Sequence, residues 1–297
     1  MGAEISAYFD APTNTISYLV SDPSSGAAAV IDPVLDYVHA NGRAWAASAQ
    51  RILADIQAKE LNVEWILETH AHADHLSAAP YIRAKTGAPI AIGAQIGKVQ
   101  AHFAPLFACD DLSCAGTEFD RLLADGETLR LGTLDIEVLH TPGHTEACVS
   151  YRIGDAVFVG DTLFMPECGT ARADFPGGDA ATLYRSIRRI LALPPETRLF
   201  MCHDYKSPER QEFAWETTVA DQRERNIHIR DGVSEEAFVE MRTARDVTLA
   251  VPALLLPAIQ VNIRAGRLPA AREGQRRFLQ IPLTLAAELE GVDPGTA

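Results

Sequence analysis

Six consecutive residues, His70-Ala71-His72-Ala73-Asp74-His75, carry three imidazoles and one carboxylate. Neutral imidazole nitrogens together with a carboxylate form the usual ligand set for zinc, iron and manganese. An isolated histidine is more often a satisfied core residue. Three in six positions beside an aspartate point instead to a metal. In an extended segment His70 and His72 project to one side, and Asp74 and His75 can turn to an adjacent position.

Such residues need an element to aim them. The preceding run, Val63-Glu64-Trp65-Ile66-Leu67, is rich in β-branched and aromatic residues and is predicted to be a buried strand. The histidines therefore fall in the loop at its C-terminal end. The same placement recurs downstream. A strand over 134–139 leads to His140-Thr141-Pro142-Gly143-His144-Thr145. One over 156–160 ends at Asp161, and one over 198–202 ends at His203-Asp204-Tyr205.

Around these loops, short strands are expected at 4–9, 15–21 and 27–31, broken by Ala11-Pro12-Thr13-Asn14 and Asp22-Pro23-Ser24-Ser25-Gly26. Such short connections imply an antiparallel meander. Further strands are expected at 90–92, 129–131 and 148–153. Helices are predicted at 44–59, from 75 to about 85, and at 179–191 with Asp179 as N-cap. Residues 96–128 form the least legible stretch and read as a packed insertion. Beyond Tyr205, 209–225 and 234–245 have the pattern of charged amphipathic helices. The tail from Val251, which contains Pro252, Pro257, Pro269 and Pro282, reads as an extended wrap. The chain is expected to form a single domain over 1–297, with 206–297 a helical and proline-rich C-terminal extension packed on it.

The 297 residues are 47% hydrophobic, ample for a sizeable core. A net charge of −14 argues against a nucleic-acid partner. The apolar stretch 249–261 is too short and too interrupted to span a bilayer, and the N-terminus lacks the features of a signal peptide. Cys109, Cys114, Cys148, Cys168 and Cys202 are odd in number and irregularly spaced, so no disulfide framework and a cytoplasmic location are expected.

The HAHADH, TPGHT and GDTLF motifs and the strand-end His203 together resemble the metallo-β-lactamase superfamily. The resemblance implies an α/β fold, an αββα sandwich with the metal loops along one edge. It implies a ligand set of His70, His72, Asp74, His75, His144, Asp161 and His203, with Asp32 beneath the metal. Two machines use such a set. In a two-metal hydrolase of the glyoxalase II type, His70, His72 and His144 hold one ion, Asp74, His75 and His203 the other, and Asp161 bridges. In the persulfide dioxygenase branch, His70, His144 and Asp161 alone hold one ferrous iron, and His72, Asp74, His75 and His203 stand behind them.

The segment Cys168-Gly169-Thr170-Ala171-Arg172-Ala173-Asp174-Phe175 resembles the CGRTDF stretch of the dioxygenases, with two residues inserted before the arginine. The match implies that Arg172 takes a glutathione carboxylate and that Tyr205 lies at the pocket mouth. It also implies that Met241 and Asn262 line the pocket. The long middle and proline-rich tail are similar to the bacterial subgroup termed β-lactamase hydrolase-like. The expectation is an Fe(II)-dependent persulfide dioxygenase, one iron per chain, oxidising glutathione persulfide with O2 to sulfite and glutathione. The alternative is a zinc-loaded glutathione thioester hydrolase. Neither reading involves nucleic acid or a membrane, and a homodimer is compatible with both.

Overall fold

A computed structural model describes residues 2–208, 210–271 and 276–284. In chain order the strands are β1 (Glu4–Asp10), β2 (Thr15–Ser21), β3 (Ala27–Ile31), β4 (Val34–Val38), β5 (Arg43–Trp45), β6 (Asn62–Leu67), β7 (Leu76–Ser77), β8 (Ile90–Gly93), β9 (Arg121–Leu123), β10 (Thr128–Leu131), β11 (Leu134–His140), β12 (Val149–Ile153), β13 (Ala156–Phe158), β14 (Arg198–Phe200) and β15 (Glu216–Thr218). The helices are α1 (Ala47–Ala58), α2 (Ala79–Thr86), α3 (Ile96–Phe103), α4 (Ala180–Leu191), α5 (Val219–Arg225), α6 (Glu235–Asp246) and α7 (Leu255–Asn262).

Two six-stranded sheets form the centre, ordered β1-β2-β3-β6-β8-β9 and β10-β11-β12-β13-β14-β15. The opening meander pairs antiparallel as its short turns require, while β3, β6, β8 and β9 run parallel through helical crossovers. Between the sheets, Ile16, Tyr18, Val20 and Ile31 pack against Ile136, Val138, Tyr151 and Phe158. The two tyrosines are fully buried, so their hydroxyls need partners. Tyr18 donates to the carbonyl of Met201 at 2.5 Å and Tyr151 to that of Glu68 at 2.8 Å. Both bonds tie the core to residues beside metal-type loops.

The outer face of the first sheet is covered by α1, α2 and α3, through Ile52, Ile82 and Val99 on Leu19, Val30 and Ile66. That of the second is covered by α4 and α6, where Leu183, Ile187 and Phe238 meet Val157 and Leu199. These four layers are the expected αββα sandwich. Asp179 caps α4 as its position suggested, accepting from the Thr182 amide at 2.7 Å. Burying the apolar stripe of α4 contributes about 1.5–3 kcal/mol for each fully buried Leu or Ile.

Four expectations need correction. Residues 34–45 form a hairpin, β4–β5, where no strand was expected, and β7 extends that small sheet. His75 precedes the short strand β7 and not a helix; α2 begins at Ala79. Within 209–225 only 219–225 is helical, because the β-branched Thr217 and Thr218 extend the second sheet as β15. The tail from Val251 is not simply extended: α7 forms there, with Pro257 in its first turn, where a missing N–H costs nothing. The predicted wrap beyond residue 284 lies outside the described residues.

Candidate metal centre

The ends of β6, β11, β13 and β14 bring the histidine and aspartate loops together at one edge of the sandwich. Two glycines allow the approach. Gly143 (φ 132°) passes so close to α4 that a Cβ would lie 2.3 Å from the Leu183 backbone. Gly160 (φ 53°) sets Asp161 against Thr69, where a Cβ would lie 2.7 Å from its Oγ1. His144 and Asp161 thereby enter the neighbourhood of His70.

Asp161 is the meeting point. Its Oδ2 lies 3.8 Å from His70 Nε2 and 3.7 Å from His144 Nε2, while its Oδ1 lies 3.3 Å from His203 Nε2. Asp74 Oδ2 lies 3.4 Å from His203 Nε2 and 3.3 Å from His75 Nδ1. Among the described residues four groups of three have ligand atoms mutually within 4.8 Å: His70, His144 and Asp161; His72, Asp74 and His75; His72, Cys202 and His203; and Asp32, Glu68 and His72.

Each imidazole is held by one nitrogen. His70 Nδ1 meets Thr69 Oγ1 at 3.0 Å, and that hydroxyl donates to Asp32 Oδ2 at 2.8 Å. His72 Nε2 meets Asp32 Oδ1 at 3.0 Å. His144 Nδ1 donates to the carbonyl of Arg172 at 2.8 Å. His203 Nδ1 donates to the carbonyl of Asn14 at 3.2 Å. The opposite nitrogens are another matter. His70 Nε2, His72 Nδ1, His75 Nε2, His203 Nε2 and Asp161 Oδ1 are all buried without a hydrogen-bond partner. Leaving one buried polar group unmatched costs about 1–3 kcal/mol, and five such groups in one cluster point to an absent partner. A bound cation is the partner that lone pairs of this kind take, and outer nitrogens tied to hydroxyl, carboxylate or carbonyl are how metal-binding histidines are oriented. The cluster is a metal-binding His/Asp site.

The electrostatics divide the histidines. Burial, reinforced by His72 and then His144, holds His70 well below the ordinary imidazole range, so it is neutral with its lone pair available. Burial and then His72 likewise lower His75. Burial also opposes charge on His72, yet the Asp32 carboxylate at 3.0 Å and the Glu68 carboxylate at 3.5 Å outweigh it and raise that imidazole well above its usual value. Asp32, expected beneath the metal, sits between Thr69 and His72 and accepts from both.

Above the cluster opens a cavity of about 650 Å³. Asp74, His144 and Asp161 line its floor, Phe164, Arg172 and Tyr205 its walls. Tyr205 stacks on His203 with ring centroids 5.7 Å apart and is half exposed. Arg172 faces the cavity with its guanidinium 5.1 Å from the Phe175 ring. It is also bidentate to Asp174 at 2.5 and 2.7 Å and donates to the Ala250 carbonyl at 2.8 Å.

Two expected pocket residues lie elsewhere. Met241 is partly buried and packs on the apolar cluster around α4 and α6. Asn262 is buried behind the HAHADH loop, where its amide is consumed by backbone groups. From the same part of the chain the cavity wall receives instead Arg242 and Arg245. Arg245 has no ion pair among the described residues. The charged pattern of α6 was visible in the sequence, but not which of its turns meets the cavity. His39, His102, His140 and His228 stay apart from the cluster; His102 pairs with Glu146 at 2.9 Å.

The sequence profile of the metallo-beta-lactamase superfamily matches residues 11–203, which include every residue of the cluster. The chain belongs to the metallo-beta-lactamase superfamily. Members of this superfamily are mostly metal-dependent enzymes. The chain is 53% identical to a probable metallo-hydrolase of Burkholderia pseudomallei, over 94% of this chain and 98% of that one. It is 44% identical to glyoxylase B2 of Dictyostelium discoideum, over 95% and 97%. It is 48% identical to the beta-lactamase hydrolase-like protein of Agrobacterium fabrum, but spans only 65% of that relative's length. It is 28% identical to the human mitochondrial persulfide dioxygenase ETHE1, over 87% of each chain. The crystal structure of ETHE1 from Myxococcus xanthus superposes with a TM-score of 0.71 at 30% identity, covering 89% of this chain and all of that one. No helix among the described residues is long and apolar enough to cross a membrane.

Proposed function

We propose that this metallo-beta-lactamase superfamily member is a persulfide dioxygenase that uses one Fe(II) held by His70, His144 and Asp161. The observation that carries the reading is the two-histidine, one-carboxylate triad placed under the Arg172-bearing wall of the cavity. This is the ligand arrangement suited to non-haem iron and oxygen chemistry. The likeness to ETHE1 over most of both chains supports it. When bound, the iron supplies the electron transfer that lets dioxygen oxidise sulfur. The balance is glutathione persulfide, dioxygen and water giving glutathione, sulfite and two protons; the terminal sulfur loses the four electrons that dioxygen gains.

The chain's own residues do the rest. The Arg172 guanidinium offers its remaining N–H groups to a substrate carboxylate. Phe164 and Phe175 exclude water from the floor, and Tyr205 presents its ring and hydroxyl at the entrance. His144 donates its Nδ1–H to the Arg172 carbonyl, which leaves the Nε2 lone pair free for a metal. His72, Asp74, His75 and His203 support the triad and offer the protons and hydrogen bonds that a persulfide anion and water require.

One observation favours a second reading. The two oxygens of Asp161 face opposite halves of the cluster, as a bridging carboxylate would in a two-zinc thioester hydrolase. The likeness to glyoxylase B2 points the same way. A paired assay separates them. The purified protein is expected to consume oxygen with glutathione persulfide and release sulfite, while hydrolysing S-lactoylglutathione poorly. Efficient thioester hydrolysis without oxygen uptake would overturn the dioxygenase reading.

A further inference from the structure

We propose that the chain beyond residue 203 sets the metal affinity of the site, because Asn262 and Asp246 clamp the two loops that aim its ligands. The superfamily profile stops at His203. All seven cluster residues precede or end that match, yet two of the loops that carry them are held from outside it.

Asn262 closes α7 and is 4% exposed. Its Nδ2 donates to the carbonyl of His72 at 2.8 Å and to that of His75 at 2.7 Å. Its Oδ1 accepts from the Ser77 amide at 2.9 Å. A primary amide offers two donors and a carbonyl acceptor, and all three functions are used on one turn. That turn points His72, Asp74 and His75 into the cluster. No other side chain of this size can satisfy two carbonyls and an amide together. An aspartate would set its oxygens against both carbonyls.

The second clamp comes from α6. Asp246, 4% exposed, accepts from the Ala173 amide at 2.9 Å and from Arg242 Nε at 2.8 Å. Arg242, 1% exposed, donates in turn to the carbonyl of Thr170 at 3.1 Å. The segment 170–173 is therefore gripped on both sides of Arg172, whose carbonyl accepts from His144 Nδ1. The chain of contacts runs from α6, through the Arg172 peptide, to the imidazole that faces the metal position. Asn262 and Asp246 are positioning residues: neither reaches the cluster, and each fixes backbone that does. Partners that orient metal-binding side chains typically govern about 10–100-fold in affinity.

The inference rests on the cluster being a metal site. The test uses the full chain, loaded anaerobically with Fe(II) and titrated against a chelator, with Co(II) absorption as a second probe of ligand geometry. The variants are Asn262→Asp, Asp246→Ala and Asp246→Asn. Controls are Ile259→Val on α7 and Phe238→Leu on α6, which weaken packing and leave the clamps intact. The expected result is a Kd for Fe(II) weakened about 10–100-fold in Asn262→Asp and Asp246→Ala, with an altered Co(II) spectrum. Controls that lose as much Tm keep the wild-type Kd. Asp246→Asn recovers only part of the affinity, since its one side-chain oxygen can still accept from Ala173 while its NH2 cannot accept from Arg242. Metal affinities that follow Tm alone, clamps and controls alike, would overturn the proposal. A wild-type chain that binds neither ion would remove the metal reading beneath it. Should the clamp variants not fold, hydrogen exchange on the metal-free wild type decides. The Ser77 and Ala173 amides are expected to exchange slowly without metal, and fast exchange at both would contradict the clamps.

Discussion

On one side of Asp161 stand His70 and His144; on the other stand Asp74, His75 and His203. The first pair leans on neutral groups, the Thr69 hydroxyl and the Arg172 carbonyl. Each spends its outer nitrogen there and keeps the inner one free. The second group leans largely on itself. Asp74 Oδ2 is shared by the Thr15 hydroxyl at 3.2 Å, His75 Nδ1 and His203 Nε2. Burial would raise the Asp74 carboxyl, yet His203 and then His75 hold it well below the usual range, so it persists as an anion inside its own hydrogen-bonded group. Both halves keep unmatched buried nitrogens, His70 Nε2 in the first and His75 Nε2 and His203 Nε2 in the second, so what distinguishes them is how Asp74 is held. Under the proposed reading a single cation settles on His70, His144 and Asp161, while Asp74 stays within its own group.

The comparison breaks most visibly at its centre. Asp161→Ala takes the carboxylate from both halves, and the variant is expected to retain essentially no tightly bound metal and no turnover above background. Metal analysis of anaerobically purified protein checks this; near-stoichiometric iron in that variant would place the ion elsewhere. Smaller effects sharpen what lies above the first half. Arg172→Ala is expected to raise the KM for glutathione persulfide at unchanged metal content. Losing one charged hydrogen bond costs about 1.5–3 kcal/mol, or roughly 10–150-fold. An unchanged KM would confine Arg172 to its contacts with Asp174 and Ala250. Arg245→Ala, on the exposed rim, is expected to change the same KM less than about fivefold, in keeping with the 0.2–1 kcal/mol of exposed charge pairs. A larger effect there than at Arg172 would exchange their roles.

The part of the site legible in the sequence is the part written locally. HAHADH follows a strand of buried apolar residues, and TPGHT carries the one glycine that lets His144 pass beneath α4, so strand ends could be read as ligand loops. The clamps were not legible, because their partners are remote. Asn262 acts on carbonyls 190 and 187 residues away, and Asp246 on an amide 73 residues away. No period or motif encodes such a pairing. Asn262 and Met241, read as pocket residues, differ for the same reason: which turn of a helix faces a cavity is decided by how α6 and α7 dock. Pro252 and Pro257 obscured α7, since a proline is equally at home in a wrap and in a first helical turn.

The central claim, one iron held by the first half alone, is tested most directly at Asp74. Its carboxylate belongs only to the second half, so Asp74→Ala separates a supporting role from a ligand role. The measurement is iron per chain together with oxygen uptake on glutathione persulfide in that variant. The expected result is roughly one iron per chain and oxygen consumption reduced about 10–100-fold but measurable. Two ions in the wild type falling to one in Asp74→Ala, with turnover nearly abolished, would contradict it and make Asp74 a metal ligand of a two-ion hydrolase.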